Sequence, residues 1–187
     1  QVAGNNIGLG FDNSTTFDSD WGVVINQGFE NTIGGGTPGE GNNICDFDED
    51  GILVIASDQT NILGNRIGIK PDDTAAPCDS AGISLMGGDN TWIGSYTTAA
   101  DSMNIITNCN RGVEITKTGI LNNTYGAVVG GNSIYNNTNQ GIDINADDLV
   151  LPIDTANNNA FLNNGEIDRC EIVSAWNCGL NGYTHLG

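Results

Sequence analysis

The feature that most constrains this chain is a repeat of about 30 residues, within the range of period that solenoid proteins use. A glycine followed by an apolar segment recurs at nearly equal spacing, at Gly22, Gly51, Gly82, Gly112 and Gly141. Each interval holds three short apolar runs, separated by Gly, Asn, Asp, Pro or Thr, which favour tight turns. No segment sustains the i, i+3, i+4 spacing of an amphipathic helix. The period therefore predicts three short strands per repeat.

Three short strands per repeat are typical of a parallel β-helix, a solenoid whose coils stack at about 4.8 Å so that like residues form ladders. We predict an all-β solenoid over residues 1–155, of about five to six coils by the repeat length. Residues 156–187 form a separate tail, packing on the solenoid end or on a neighbouring subunit. Corner asparagines are expected to form amide ladders, pairing Asn43 with Asn104 and Asn65 with Asn132. A β-sandwich is disfavoured because its strands would not repeat in content at a fixed step.

Two segments carry a family likeness. Residues 31–44 read NTIGGGTPGEGNNI, and residues 132–144 open with NSIYNN and close with GIDI. These phrases resemble the repeats of right-handed parallel β-helix proteins of the pectate-lyase-like superfamily, above all repeat segments of secreted and surface proteins of bacteria and archaea. The resemblance covers residues 1–155 and implies a right-handed coil and an extracellular or cell-surface location. The resemblance specifies the fold strongly but says very little about the function, because lyases, adhesins, spikes and structural proteins all use this scaffold.

The charge of the chain excludes several classes of partner. Twenty-three acidic and five basic residues give a formal net charge of −18. Such a polyanion lacks the basic residues that bind a nucleic acid backbone by counterion release, or anionic lipid by attraction. No apolar stretch approaches the length of a membrane span. We therefore expect no nucleic acid partner and no membrane insertion.

The first residues already match mid-coil positions, since Val2 aligns with Ile62 when the chain is shifted by two repeats. Solenoid ends are normally capped, because an open coil exposes unpaired strand edges. Two interpretations follow: the chain is a piece of a longer β-helix, or the end is covered by the C-terminal end of another copy. Head-to-tail contact does not close, so it builds filaments. Val2, Asn6 and Ile7 are the candidate self-association residues.

The five cysteines suggest disulfides in a secreted chain. Cys78 and Cys109 lie equally far beyond the repeat glycines Gly51 and Gly82, which places them one above the other at a distance that a disulfide spans. We predict a Cys78–Cys109 bond and a local Cys170–Cys178 bond in the tail. Cys45 is then a small buried hydrophobe or, less favoured, an intersubunit link. Zinc is a poor alternative, because the chain has one histidine and no Cys-x-x-Cys.

Two further site types are candidates. Asp46, Asp48 and Asp50 precede Gly51 in a D-x-D-x-D-G pattern, which opens many calcium loops. The twelfth position is Ser57 rather than Glu, so a solvated acidic corner is the alternative. Calcium is the one cofactor considered. Sequons at Asn13, Asn122 and Asn136 are candidate glycosylation sites.

We assign no catalytic residues, because no recurring constellation marks an active site and the charge would repel a polyanionic substrate. The favoured function is a non-enzymatic extracellular structural protein, a β-helix subunit that assembles head-to-tail with itself into a filament or surface fibre. The alternative is a glycan-binding, adhesive segment of a larger secreted protein, with Trp92 and Tyr96 on an exposed-looking turn. A polysaccharide lyase-like enzyme ranks third.

Overall fold

A computed structural model describes residues 1–95, 102–116 and 124–144, together with the backbone of two strands in the tail. Three parallel sheets form the faces of a solenoid. Sheet 1 holds β3 (Thr32–Gly34), β6 (Asn61–Leu63), β10 (Trp92–Gly94) and β14 (Val128–Gly130). Sheet 2 holds β1 (Asn6–Ile7), β4 (Asn43–Ile44), β7 (Arg66–Ile67), β11 (Ile105–Thr107) and β15 (Ser133–Tyr135). Sheet 3 holds β2 (Val23–Asn26), β5 (Ile52–Ile55), β8 (Ala81–Met86), β12 (Arg111–Thr116) and β16 (Ile142–Ile144).

Four strands lie outside these faces. The short strands β9 (Gly88–Asp89) and β13 (Thr124–Tyr125) pair in parallel beside them. In the tail, β17 (Ala175–Gly179) and β18 (Gly182–Leu186) pair antiparallel. No helix in the described part of the chain is long and apolar enough to cross a membrane.

The predicted parallel solenoid is confirmed, and sheet 3 keeps the period of the sequence. Its successive Cα partners are Val23, Ile52, Ile83, Val113 and Ile142, each placed just after a repeat glycine. The described residues make about four turns, fewer than the five to six coils expected. The coils are uneven at the corner beside sheet 2, where equivalent positions lie 37, 23, 39 and 28 residues apart along the chain.

The core consists mainly of columns of β-branched residues, one from each coil. On sheets 1 and 2 these columns are fully buried isoleucines through the central coils: Ile33, Ile62 and Ile93, and Ile44, Ile67 and Ile106. Burying one such side chain contributes about 1.5–3 kcal/mol. Valine and isoleucine suit these positions because their stiff χ1 angles fit a pleated surface. The core therefore explains why each apolar run is short and β-branched.

The repeat glycines stand where successive coils approach most closely. A Cβ added to Gly51 would lie 2.8 Å from the carbonyl oxygen of Gly82 and 2.8 Å from Cγ2 of Ile67. Neither atom has room to move, because one is backbone of the next coil and the other is core. The recurrence of glycine at this corner is therefore steric.

A ladder of asparagine carboxamides runs along the corner between sheets 1 and 2. At each step the Oδ1 atom of one asparagine accepts two bonds from the coil before it, from a backbone N–H and from an Nδ2 amide. The distances are 2.8–3.3 Å along the whole ladder, which comprises Asn5, Asn42, Asn65, Asn104 and Asn132. Each Nδ2 after the first also donates to a carbonyl of the preceding coil, at Val2, Ile33, Ile62 and Ile93.

This ladder corrects the predicted pairings. The expectation of two separate pairs placed Asn43 on the ladder, but its neighbour Asn42 occupies that position. Asn43 instead donates from Nδ2 to Asn6 Oδ1, outside the ladder, at 2.7 Å. Asn65 and Asn104 are adjacent rungs rather than members of different pairs. The error arises because the connections between rungs vary in length.

Asn65→Ala should destabilise the protein strongly. Asn65 is fully buried, and its loss leaves buried groups of Asn42, Asn104 and Ile33 without partners. At about 1–3 kcal/mol for each unsatisfied group, less local relaxation, we expect a loss of about 3 kcal/mol. Urea unfolding followed by circular dichroism measures it. Asn43→Ala is the matched control and should cost under about 0.5 kcal/mol; equal losses for the two variants would show that the ladder adds nothing.

Candidate functional site

The end of the solenoid formed by the first coil presents unpaired strand edges. Within the described residues, β1 pairs only with β4 and β2 only with β5. Val2 forms one bridge with Ile33, through bonds of 2.9 and 2.7 Å to the second coil. An open edge of a parallel sheet is a template for another strand.

Exposed apolar side chains concentrate at the same end. Six of the eight large exposed hydrophobic residues of the described chain belong to residues 2–29. We call this set the first-coil surface: Val2, Phe11, Phe17, Trp21, Val24 and Phe29. Phe29 is 60% exposed and Val24 is 48% exposed, whereas Leu53, the register partner of Val24 in the second coil, is 6% exposed. All six belong to the first coil, whereas the other two exposed large hydrophobic residues, Met103 and Tyr135, lie in later coils.

The connection that carries Phe11 and Phe17 is held by its own hydrogen bonds. Asp12 accepts bonds from the N–H groups of Ser14 and Thr15 at 3.0 and 2.8 Å. The bonds from Thr15 and Ser14, hydroxyl as well as backbone, hold the pKa of Asp12 well below its usual value. Lys70 donates from Nζ to the carbonyl of Ser14 at 2.7 Å, which ties the connection to the third coil.

The ladder also reaches its end here. Asn5 donates from its backbone N–H and from Nδ2 to Asn42 Oδ1, both at 3.0 Å. Its own Oδ1 receives no bond from the described residues, so it stands as an acceptor at the open end. At the last described rung, Asn132 accepts from Asn104. The backbone N–H of Asn132 has no acceptor among the described residues. Asn5 and Asn132 thus carry groups of opposite hydrogen-bonding character.

The candidate self-association residues lie together at this end. Val2 is partly exposed. Asn6 is exposed and bonds to Asn43 and to the exposed Asn13. Ile7 is half-buried and packs against the core. Sequence reasoning identified these three but missed the phenylalanines, which carry most of the exposed apolar surface.

The acidic residues of the candidate calcium loop do not converge. Asp50 is buried and accepts a bond from the backbone N–H of Ala81 at 2.9 Å, across to the next coil. Asp48 is exposed and Asp46 is half-buried with a positive φ of 66°. In the part of the chain that the structure describes, no three His, Cys, Asp or Glu side chains are grouped to hold a metal. Asp50 therefore acts as a structural acceptor.

The predicted disulfide between Cys78 and Cys109 is wrong in this structure, because both are free, buried thiols. Their predicted stacking is present: Cys78 Sγ lies near Gly51 and Cys109 Sγ near Gly82, at the same corner of successive coils. The Cys109 thiol donates to the carbonyl of Thr107 at 3.3 Å. The neighbouring Cys109 thiol, together with burial, raises the pKa of Cys78 well above its usual value.

Cys45 is fully buried, as one of the two interpretations expected. Its thiol donates to the carbonyl of Ile69 at 3.1 Å, and burial raises its pKa to about 11. Three other expected sites fall outside what is described: Cys170, the side chain of Cys178, and Asn122. The sequons at Asn13 and Asn136 are exposed, and both asparagines have left-handed backbone conformations. Tyr96 also lies outside the described residues.

A buried charge cluster occupies the outer face of sheet 3, and no sequence signal pointed to it. Arg111 binds Glu114 at 2.8 Å and Asp143 at 3.0 Å, with side-chain exposures of 16%, 10% and 1%. Burial raises the pKa of Glu114, and the Arg111 guanidinium opposes that rise. Burial likewise raises the pKa of Asp50, against the bonds from Ala81 and Ser80. Arg111 therefore neutralises carboxylates that water does not reach.

No protein-family model, no curated protein and no solved structure matches the chain. The solenoid assignment rests on the sheet topology and register described above.

Arg111→Leu should destabilise the protein by about 3–5 kcal/mol at neutral pH, because it leaves Glu114 and Asp143 buried without their cation. A carboxyl group whose folded pKa is raised binds its proton more tightly in the folded state, so stability is lost as pH rises through that pKa. The cost of the substitution should therefore shrink as the pH falls towards 4. Urea unfolding at both pH values measures this.

The control is Arg66→Leu, which removes an exposed pair with Asp73. It should cost under about 1 kcal/mol. An Arg111→Leu cost that stays constant with pH would contradict the assignment of the cluster.

The three buried cysteines should not react with a thiol reagent in the folded protein, because burial keeps the thiolate population small. After unfolding without a reducing agent, all three should be alkylated. Peptide mapping by mass spectrometry measures both states. A linked Cys78–Cys109 peptide before reduction would restore the disulfide prediction.

Proposed function

We propose that this chain is a non-enzymatic structural subunit whose first coil stacks on the opposite end of a second copy, building a filament or surface fibre. The observation that carries the proposal is the coincidence, at one end, of unpaired strand edges with six of the eight large exposed apolar side chains of the described residues. The second copy is favoured over an unrelated partner because the surface needed is another coil of the same dimensions. The chain itself supplies such coils.

Stacking would continue the parallel sheets across the joint by strand addition, which satisfies main-chain groups on both sides. The ladder favours one orientation. Asn5 presents an acceptor at the first coil, and Asn132 carries a donor at the last described rung. Two first coils placed together would bring acceptor against acceptor. Contact is therefore head-to-tail, and a heterologous contact without closure extends into a filament.

The net charge opposes this association at low salt. Copies of charge −18 repel one another, and added salt screens that repulsion. The apolar part of the contact does not weaken as salt is added. Assembly should therefore increase with ionic strength, the reverse of what holds for association driven by opposite charges.

The basic residues support a role without catalysis. A lyase of this general fold needs a basic side chain placed to accept a proton or, as a cation, to bind an acidic substrate. Arg111 is buried against two carboxylates, Arg66 pairs with Asp73, and Lys70 donates to a backbone carbonyl. Lys117 and Arg169 lie outside the described residues. The described cations are thus engaged in structural contacts.

Two expectations accompany this proposal. The resemblance to pectate-lyase-like β-helix proteins and the extracellular or cell-surface location stay predictions, and a parallel β-solenoid agrees with both. Calcium binding also stays a prediction; with Asp50 used as an acceptor for Ala81, it would depend on Asp46 and Asp48 with other oxygens.

The double variant Val24→Asp/Phe29→Asp should remain monomeric where the unaltered chain assembles. Burying each of these side chains in a joint contributes about 1.5–3 kcal/mol, so losing both should weaken association by more than about tenfold. Sedimentation velocity and negative-stain microscopy at roughly 10 mM and about 500 mM NaCl measure the assembly and its salt dependence.

Met103→Asp is the matched control, because Met103 is exposed but lies on the side of the fourth coil. It should assemble as the unaltered chain does. Monomers of the unaltered chain under every condition, or equal assembly by all variants, would refute the proposed stacking.

A further inference from the structure

A shallow groove lies on the side of the solenoid, along the outer face of sheet 1. It crosses β6, β10 and β14 and has a volume of about 470 Å³. Three of its residues are Cα partners in one column: Asn61, Trp92 and Val128. The other three are the preceding corner residues of the same coils: Gln59, Asn90 and Gly126. The groove therefore runs parallel to the solenoid axis.

The lining combines one aromatic surface with three carboxamides. Trp92 is half-buried, so part of its indole faces the groove, while Gln59 and Asn90 are exposed at the rim. None of the six lining residues carries a charge, although the chain as a whole has a net charge of −18. A groove of this composition offers apolar contact and hydrogen bonds of both polarities, without an ion for a charged ligand.

The backbone that carries these side chains is held from coil to coil. Gln59 and Asn90 have φ values of 53° and 57°, and Gly126 has 62°, so all three corners turn in the same way. Three backbone N–H groups of the lining donate to backbone carbonyls of an adjacent coil, at 2.8–2.9 Å. The pairs are Gln59 with Asp89, Trp92 with Thr60, and Val128 with Thr91. The groove is thus held by the coil-to-coil bonds and exists without a ligand.

We propose that this groove binds an uncharged oligosaccharide. The C–H face of a pyranose ring is apolar and stacks on an indole, while its hydroxyl groups both donate to and accept from carboxamides. Three coils at about 4.8 Å spacing give a length of about 10 Å, which suits a short stretch of a sugar chain. Uronic or sulfated sugars are disfavoured, because the groove supplies no cation against the field of a polyanionic protein.

This inference goes beyond the proposed stacking and is independent of it. The groove crosses β6, β10 and β14, while the first-coil surface ends at residue 29. A subunit that stacks end to end would leave its sides exposed, so a fibre would repeat the groove along its length. Binding would then gain from several weak contacts to one glycan surface.

Binding is tested on a glycan array that carries neutral, uronate-containing and sulfated oligosaccharides. Saturation-transfer NMR and calorimetry with cellotetraose, mannotetraose and chitotetraose then give affinities. We expect at least one neutral oligosaccharide to bind, and Trp92→Ala to weaken that binding by about tenfold. Trp92→Phe should retain most of it because the ring face remains. Tyr135→Ala should leave binding unchanged, because Tyr135 is an exposed aromatic residue outside both the groove and the first-coil surface.

A second pair of variants decides the matter if Trp92→Ala fails to fold. Gln59 and Gln27 are both exposed, at left-handed corners with φ values of 53° and 55°. Gln59→Ala should weaken binding, and Gln27→Ala should not. Absence of binding to every neutral sugar, a preference for charged sugars, or equal affinities for Gln59→Ala and Gln27→Ala would overturn the proposal. None of these outcomes bears on the stacking, which sedimentation measures separately.

Discussion

Every coil of this solenoid is registered to the next by the carboxamide of one asparagine, and much of the architecture depends on that bond. The connections between rungs vary from 23 to 39 residues, yet each rung meets its neighbour at the same atoms. A buried amide satisfied by two donors is costly to displace, so the corner stays fixed while the connections change. The interior therefore repeats, and the exterior is free to differ from coil to coil.

The outer face of sheet 3 shows how far the exterior changes. One column passes from an exposed valine through a buried leucine and serine to two buried carboxylates: Val24, Leu53, Ser84, Glu114 and Asp143. The first coil thus offers apolar surface, while the last two rungs of this column are fixed by Arg111. The exposed apolar residues and the buried charges thus lie on different coils of one scaffold.

Sequence alone predicted what is periodic. Sheet 3 was in register because each of its strands follows a glycine of the repeat, whose Cβ would clash with the next coil. The sequence placed Asn43 on the asparagine ladder, whereas the structure places Asn42 there. The connections between rungs differ in length, so aligning the repeats at one fixed shift misses this position. The phenylalanines of the first coil and the partners of Arg111 have no period. Their proximity arises only once the coils are stacked.

The carboxamides of the ladder all point the same way. Each Oδ1 faces the coil before it, so the C=O dipoles add along the axis instead of cancelling as they do between neighbouring residues of a strand. The first coil is thus the negative pole of the row and the last described rung its positive pole, a counterpart of the aligned peptide dipoles in a helix. A solenoid built this way has a dipole along its axis, in addition to the direction of its chain. Each added rung lengthens the row of aligned dipoles.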